Sequence, residues 1–173
     1  MNTGERPGTG ETGSRHIGER VESPLVVSAC LVGEKCRYNG RALPAEIVRR
    51  VVAFLDGKSY TLVCPEVLGG LPTPRPPMEI ASGDGVDVLA GRARVIDAGG
   101  SDRTDELIRG AEEAARITRE AGAGVALLKE SSPSCGTKMI SRKGVKIPGI
   151  GVTCAVLQRA HIDVISEEDI PRR

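Results

Sequence analysis

Leu25–Ala29, Tyr60–Val63 and Val125–Leu128 are short apolar runs, bounded by turn-forming or polar residues. Their length suits buried strands better than helices. Between the first two, Pro44 can open a helix in which Ile47, Val48, Val51, Val52 and Leu55 recur at helical spacing, and Asp56-Gly57 ends it. A strand–helix–strand order needs a long crossover, so these strands are expected to be parallel with a right-handed connection. Thr104 to Ala121 gives a second helix: Leu107, Ala111, Ala114, Ala115 and Ile117 supply its apolar stripe, and Asp105 and Glu106 favour its N-terminus. The pattern predicts a single three-layer α/β domain over residues 23–173, with a mainly parallel, Rossmann-like sheet.

The connecting segments carry further expectations. Glu66 to Ile80 contains Gly69-Gly70 and prolines at 72, 74, 76 and 77. Proline removes donors and fixes φ, so this stretch is expected to be a stiff loop, neither helix nor central strand. Ser82–Gly85 reads as a turn, with Val86–Leu89 and Ala93–Ile96 pairing as a hairpin. Gly144 to Gly151 reads as a loop, Thr153 to Ala160 as a short helix and Ile162–Ile165 as a last strand. Met1 to Glu22 is rich in Gly, Thr, Arg and Glu and is expected to be a flexible tail.

Composition narrows the function classes. A chain of 173 residues can bury one aliphatic core, and its net charge of +1 gives no reason to expect a polyanionic partner. Tyr38, Phe54 and Tyr60 are the only aromatics, too few for stacking platforms that bind single-stranded nucleic acid. No apolar run has the length of a membrane span, and no export signal is recognisable. The expected setting is a reducing cytoplasm, where five cysteines serve metal binding or catalysis rather than disulfides.

Three of those cysteines, Cys30, Cys64 and Cys135, each lie just past one of the three apolar runs. Parallel sheets gather the carboxyl ends of their strands on one edge, where ligands bind. Thiols distant in sequence can meet there. His16 and His161 are the only histidines, which argues against Ser–His–Asp and Cys–His catalysis. Zinc knuckles use C-x-x-C pairs, absent here; Cys30 and Cys36 have the wrong spacing. No phosphate-binding glycine motif follows a strand. Cys154, between Thr153 and Ala155 in an apolar helical pattern, reads as a packing residue. Around Cys135, the residues Ser132, Pro133, Ser134 and Gly136 form a turn rich in hydroxyls and amides, able to hydrogen-bond cluster sulfides or a substrate. Glu66 is the carboxylate best placed near a metal, and Arg75 is either a substrate contact or a surface charge. Chemistry alone leaves zinc, free thiols and an iron–sulfur cluster open.

Three ordered blocks carry a family resemblance. They are Ser28-Ala29-Cys30-Leu31 with Gly33 and Cys36-Arg37-Tyr38-Asn39-Gly40; Cys64-Pro65-Glu66 with Gly69-Gly70-Leu71-Pro72-Thr73-Pro74-Arg75-Pro76-Pro77; and Leu128-Lys129 with Ser132-Pro133-Ser134-Cys135-Gly136. The chain resembles the thiouracil desulfidase family from about Leu25 to its C-terminus. Asn39 stands where the family commonly has Asp.

The resemblance implies a [4Fe-4S] cluster held by Cys30, Cys64 and Cys135, with one iron lacking a protein ligand. Cys36 is implied as a neighbour and second-choice ligand, Glu66 as the acidic catalytic residue, and Ser132 or Ser134 as the substrate-positioning serine. The implied reaction is non-redox removal of sulfur from a small thiolated pyrimidine base such as 2-thiouracil, giving uracil and hydrosulfide. The competing expectation is a non-enzymatic iron–sulfur or zinc-binding sensor or sulfur-carrier module.

Overall fold

A computed structural model describes residues 23–172 of the chain. In chain order its elements are β1 (Leu25–Ser28), a 3₁₀ turn (Ala29–Val32), α1 (Ala45–Leu55), β2 (Tyr60–Val63), α2 (Pro65–Leu68), β3 (Met78–Ile80), α3 (Gly85–Leu89), β4 (Val95–Asp97), α4 (Thr104–Glu120), β5 (Val125–Leu128), β6 (Met139–Arg142), β7 (Val145–Pro148), α5 (Val152–Arg159) and β8 (Asp163–Ser166). The expected tail, residues 1–22, lies outside the described residues.

Four strands form a parallel sheet in the order β2-β1-β5-β8. Side chains alternate between the two faces of a strand. Leu25 and Val27 of β1, with Leu127 of β5, therefore pack on one side against Val51 and Leu55 of α1 and Ile170. Val26 faces the opposite side with Val63 and Ala114 of α4, while Ala126 and Leu128 meet Ala115, Cys154 and Leu157 from α4 and α5. Helices thus cover both faces, and the expected three-layer α/β architecture with a parallel sheet is observed. Among the described residues no helix is long and apolar enough to cross a membrane.

The connecting segments differ from expectation in four places. The stretch 66–80 is not all loop. Pro65 occupies the first position of α2, where its missing N–H costs nothing, and after Pro77 the chain forms the short strand β3. Val86–Leu89 is helix, not strand: the Asp84 carboxylate accepts the Val86 N–H at 2.9 Å while Asp87 accepts the Asp84 N–H at 3.1 Å, a reciprocal cap that starts α3. β4 consequently pairs with β3, register Glu79↔Ile96, rather than with residues 86–89. Within the expected Gly144–Gly151 loop, β7 pairs antiparallel with β6. Both antiparallel pairs lie outside the main sheet.

Candidate functional site

β2, β1 and β5 are adjacent, so their carboxyl ends open onto one edge. A cavity of about 320 Å³ lies there, and Cys30, Cys36, Cys64 and Cys135 all line it. Each thiol arrives by a different local device. The 3₁₀ turn that continues β1 carries Cys30, and Gly33, at φ 99°, ends that turn in a left-handed conformation disfavoured for side chains with a Cβ. Cys64 is the residue between β2 and α2. Cys135 sits in a tight turn closed by the Gly136 N–H donating to the Ser132 carbonyl at 2.9 Å. The Val152 and Thr153 amides, at the start of α5, donate to the Pro133 and Ser134 carbonyls at 3.0 and 2.8 Å. These donors have no partner inside their own helix, so they brace the turn without weakening α5.

The thiols are close enough to perturb one another. Cys36 is pushed up to about 11, first by its hydrogen bond with the Cys30 thiol, with burial adding to the rise. Cys64 is raised far more, by the Cys36 thiol and then by burial, and its Sγ lies 3.8 Å from the Cys36 carbonyl oxygen. Burial raises Cys135, and the charges of Glu66 and Cys64 add to it. Cys30 and Cys135 are buried, and all five cysteines are free thiols. Cys154 is fully buried in the core beside Leu157, as its sequence pattern predicts.

Glu66 occupies the first turn of α2 and lines the cavity. Arg75, from the proline-rich segment, is its partner: Nε donates to Glu66 Oε2 at 2.7 Å, and Nη2 also meets Oε2. The same guanidinium donates from Nη1 to the Pro72 carbonyl (3.0 Å) and the Thr73 hydroxyl (3.1 Å), and from Nη2 to the Cys36 carbonyl (3.0 Å). Its side chain is 3% exposed. Arg75 is therefore not a surface charge but a buried clamp on the cavity wall.

The two candidate serines separate. Ser132 lines the cavity, and its Oγ accepts the Ser134 and Cys135 N–H groups, both at 3.1 Å. Ser134 is 1% exposed and is not among the cavity-lining residues. Its Oγ shares a hydrogen bond with Thr153 Oγ1 at 3.0 Å and lies 3.8 Å from Cys135 Sγ. Tyr38 lines the mouth with Arg37, whose guanidinium lies 5.8 Å from the ring centre.

Sequence reasoning missed Glu130. Its buried carboxylate accepts the N–H groups of Ser131, Thr137, Lys138 and Met139 and the Thr137 hydroxyl. Burial works to raise it, but the Thr137 hydroxyl and those amides outweigh burial and hold it at about 2. Glu130 thus ties both ends of the 131–139 segment, which carries Cys135, to the end of β5. Its own N–H donates to Glu167 Oε2 at 2.8 Å, and Glu167 Oε1 pairs with Lys129 at 2.6 Å. A carboxylate directly after a strand and Lys129 is the only sequence signal for this role.

Among the described residues, no three Cys, His, Asp or Glu side chains converge closely enough to hold a single metal ion. Four soft donors instead surround a shared space, an arrangement that suits a cluster several atoms across.

A family model described as 2-thiouracil desulfurase matches residues 25–169. The uncharacterized protein YbbK of Bacillus subtilis (strain 168) is 44% identical over 149 residues, covering 84% of this chain and 97% of YbbK. Among solved structures, the [4Fe-4S]-dependent thiouracil desulfidase TudS superposes with a TM-score of 0.71 at 39% identity, covering 87% of this chain and 94% of TudS.

Proposed function

The chain belongs to the 2-thiouracil desulfurase family, and from that premise we propose that residues 23–173 form a [4Fe-4S]-dependent desulfidase. It removes sulfur from a thiolated pyrimidine base such as 2-thiouracil, releasing uracil and hydrosulfide. The observation that carries this reading is the cavity where four thiols meet the clamped Glu66.

Cys30, Cys64 and Cys135 are the proposed cluster ligands, carried by the segments that follow β1, β2 and β5, with Cys36 beside them. When bound, a cluster whose fourth iron lacks a protein ligand supplies Lewis acidity toward the thiocarbonyl group. The chain's own residues handle protons and orientation. Glu66 Oε2 is held by Arg75. Its Oε1 is left to take the proton of the water that attacks the C=S carbon. The incoming oxygen replaces sulfur on that carbon, and sulfur leaves as hydrosulfide without net oxidation or reduction. Ser132 Oγ already accepts two amide protons, so its own O–H is the group left to donate to the base edge.

The test is anaerobic reconstitution followed by iron and sulfide analysis and assay with 2-thiouracil. The proposal expects a brown protein with four irons per chain, as the proposed cluster requires, that releases uracil and hydrosulfide in equal amounts. A zinc-loaded, colourless protein from the same anaerobic preparation contradicts it and favours a structural or sulfur-carrier module.

A further inference from the structure

We propose that Arg75 is the positioning residue of this site: it sets which oxygen of Glu66 faces the cavity and couples that carboxylate to the wall bearing Cys36. The inference rests on the reading of Glu66 as the proton-handling group and goes one residue beyond it.

Three chain segments converge on one guanidinium. The α2 turn contributes Glu66 Oε2, the 33–42 loop contributes the Cys36 carbonyl, and the proline-rich segment contributes the Pro72 carbonyl and the Thr73 hydroxyl. All five N–H groups of an arginine point outward in one plane, so a single fork can hold partners from several directions at fixed angles. Both contacts to Glu66 fall on Oε2. A carboxylate gripped on one oxygen cannot rotate freely about its last torsion, and Oε1 keeps its lone pairs for a reacting proton. Nη2 joins the two halves of the device, because it meets both Glu66 and the Cys36 carbonyl. The prolines on either side of Arg75 stiffen the segment that delivers it, which explains a proline-rich stretch at a catalytic edge. A small displacement of a reacting group costs about 100-fold in rate, so this clamp acts on turnover rather than on substrate affinity.

The test is a double-mutant cycle in anaerobically reconstituted protein, with Arg75→Met and Arg75→Lys made alone and in the Glu66→Gln background. Single-turnover hydrosulfide release, followed over hours, supplies the rate where turnover is slow. Arg75→Met is expected to lower kcat about 100-fold while KM stays within about threefold. Arg75→Lys keeps the charge but lacks the fork, so it is expected not to restore the rate. In the Glu66→Gln background the same changes are expected to cost no more than about twofold, because the group they position is gone. A second readout needs no cluster: in the cluster-free chain, alkylation of Cys36 is expected to quicken several-fold in both Arg75 variants, since the tie to its carbonyl is lost. Equal rate losses in both Glu66 backgrounds, or unchanged Cys36 alkylation, overturn the inference. Full turnover in Glu66→Gln alone contradicts the reading of Glu66 itself, a separate outcome.

Discussion

Gly110 of α4 lies against the Pro65 carbonyl so closely that a Cβ on Gly110 would sit 1.8 Å from the oxygen. Gly69 meets the Glu106 carbonyl across the same contact, where a Cβ would lie 2.0 Å away. Two facing glycines let the short α2 helix press onto a long one, and that pressure fixes where Glu66 and the Cys64 turn sit. Gly110→Ala normally favours a helix, yet here it forces two backbones apart. Overpacking of this kind costs about 2 kcal/mol. Chemical denaturation is expected to show that loss, and the variant's turnover is expected to fall more than its cluster content.

Glu130 makes stability depend on acid. Its carboxyl is held at about 2, below its ordinary value of 4.5. A group whose folded value is depressed contributes stability above the unfolded value, and that contribution is lost as pH falls through the folded one. The shift corresponds to about 3 kcal/mol, present above roughly pH 4.5 and gone near pH 2. Denaturation of the cluster-free chain across this window is expected to show the loss, and Glu130→Gln is expected to be less stable at neutral pH with a flatter acid dependence. An unchanged acid slope in Glu130→Gln contradicts the assignment.

Ser132 and Ser134 are expected to fail differently. Ser134→Ala removes the partner of Thr153 inside the protein and costs about 1–2 kcal/mol of stability. Its kcat/KM is expected to stay within about threefold of the parent. Ser132→Ala removes a hydroxyl on the cavity wall together with the acceptor for two turn amides, so its turnover is expected to drop at least tenfold by ordinary hydrogen-bond magnitudes. Steady-state kinetics of both variants checks this pair.

Cys154 is expected to be a packing residue only. Cys154→Ala leaves a small void beside Leu157 and lowers stability by roughly 1 kcal/mol. Iron and sulfide per chain after reconstitution are expected to match the parent. A variant that loses iron would show that Cys154 belongs with the other thiols.

The elements that carry the sheet were legible because their signals are local. Val26-Val27 and Leu127-Leu128 are apolar on both faces, as strands buried between helix layers must be. Leu107, Ala111 and Ala114 mark the buried stripe of α4 at helical spacing. The misread segments depend on partners distant in sequence or on caps. Val86-Asp87-Val88-Leu89 has strand-forming valines, but the Asp84–Asp87 cap outweighs that preference. β6 and β7 pair antiparallel with each other; Ile140 is the one buried residue of β6 and β7 is largely exposed, so the pair carries little core signal. Cys30, Cys64 and Cys135 were legible as a set because each follows a strand, and adjacency of β2, β1 and β5 brings their ends together. The roles of Arg75 and Glu130 were not: Arg75 reaches the carbonyl of Cys36 across the fold, and Glu130 is held by backbone amides of the 131–139 segment, which leave no trace in a side-chain pattern.

Cys30, Cys64 and Cys135 are proposed to hold a cluster that serves desulfuration. The most direct measurement compares the parent with Cys30→Ala, Cys64→Ala and Cys135→Ala after identical anaerobic reconstitution, reading iron, acid-labile sulfide and hydrosulfide release from 2-thiouracil. Each variant is expected to lose both the cluster and the activity, while the parent keeps both. Any one of the three that retains a full cluster and full activity contradicts the assignment.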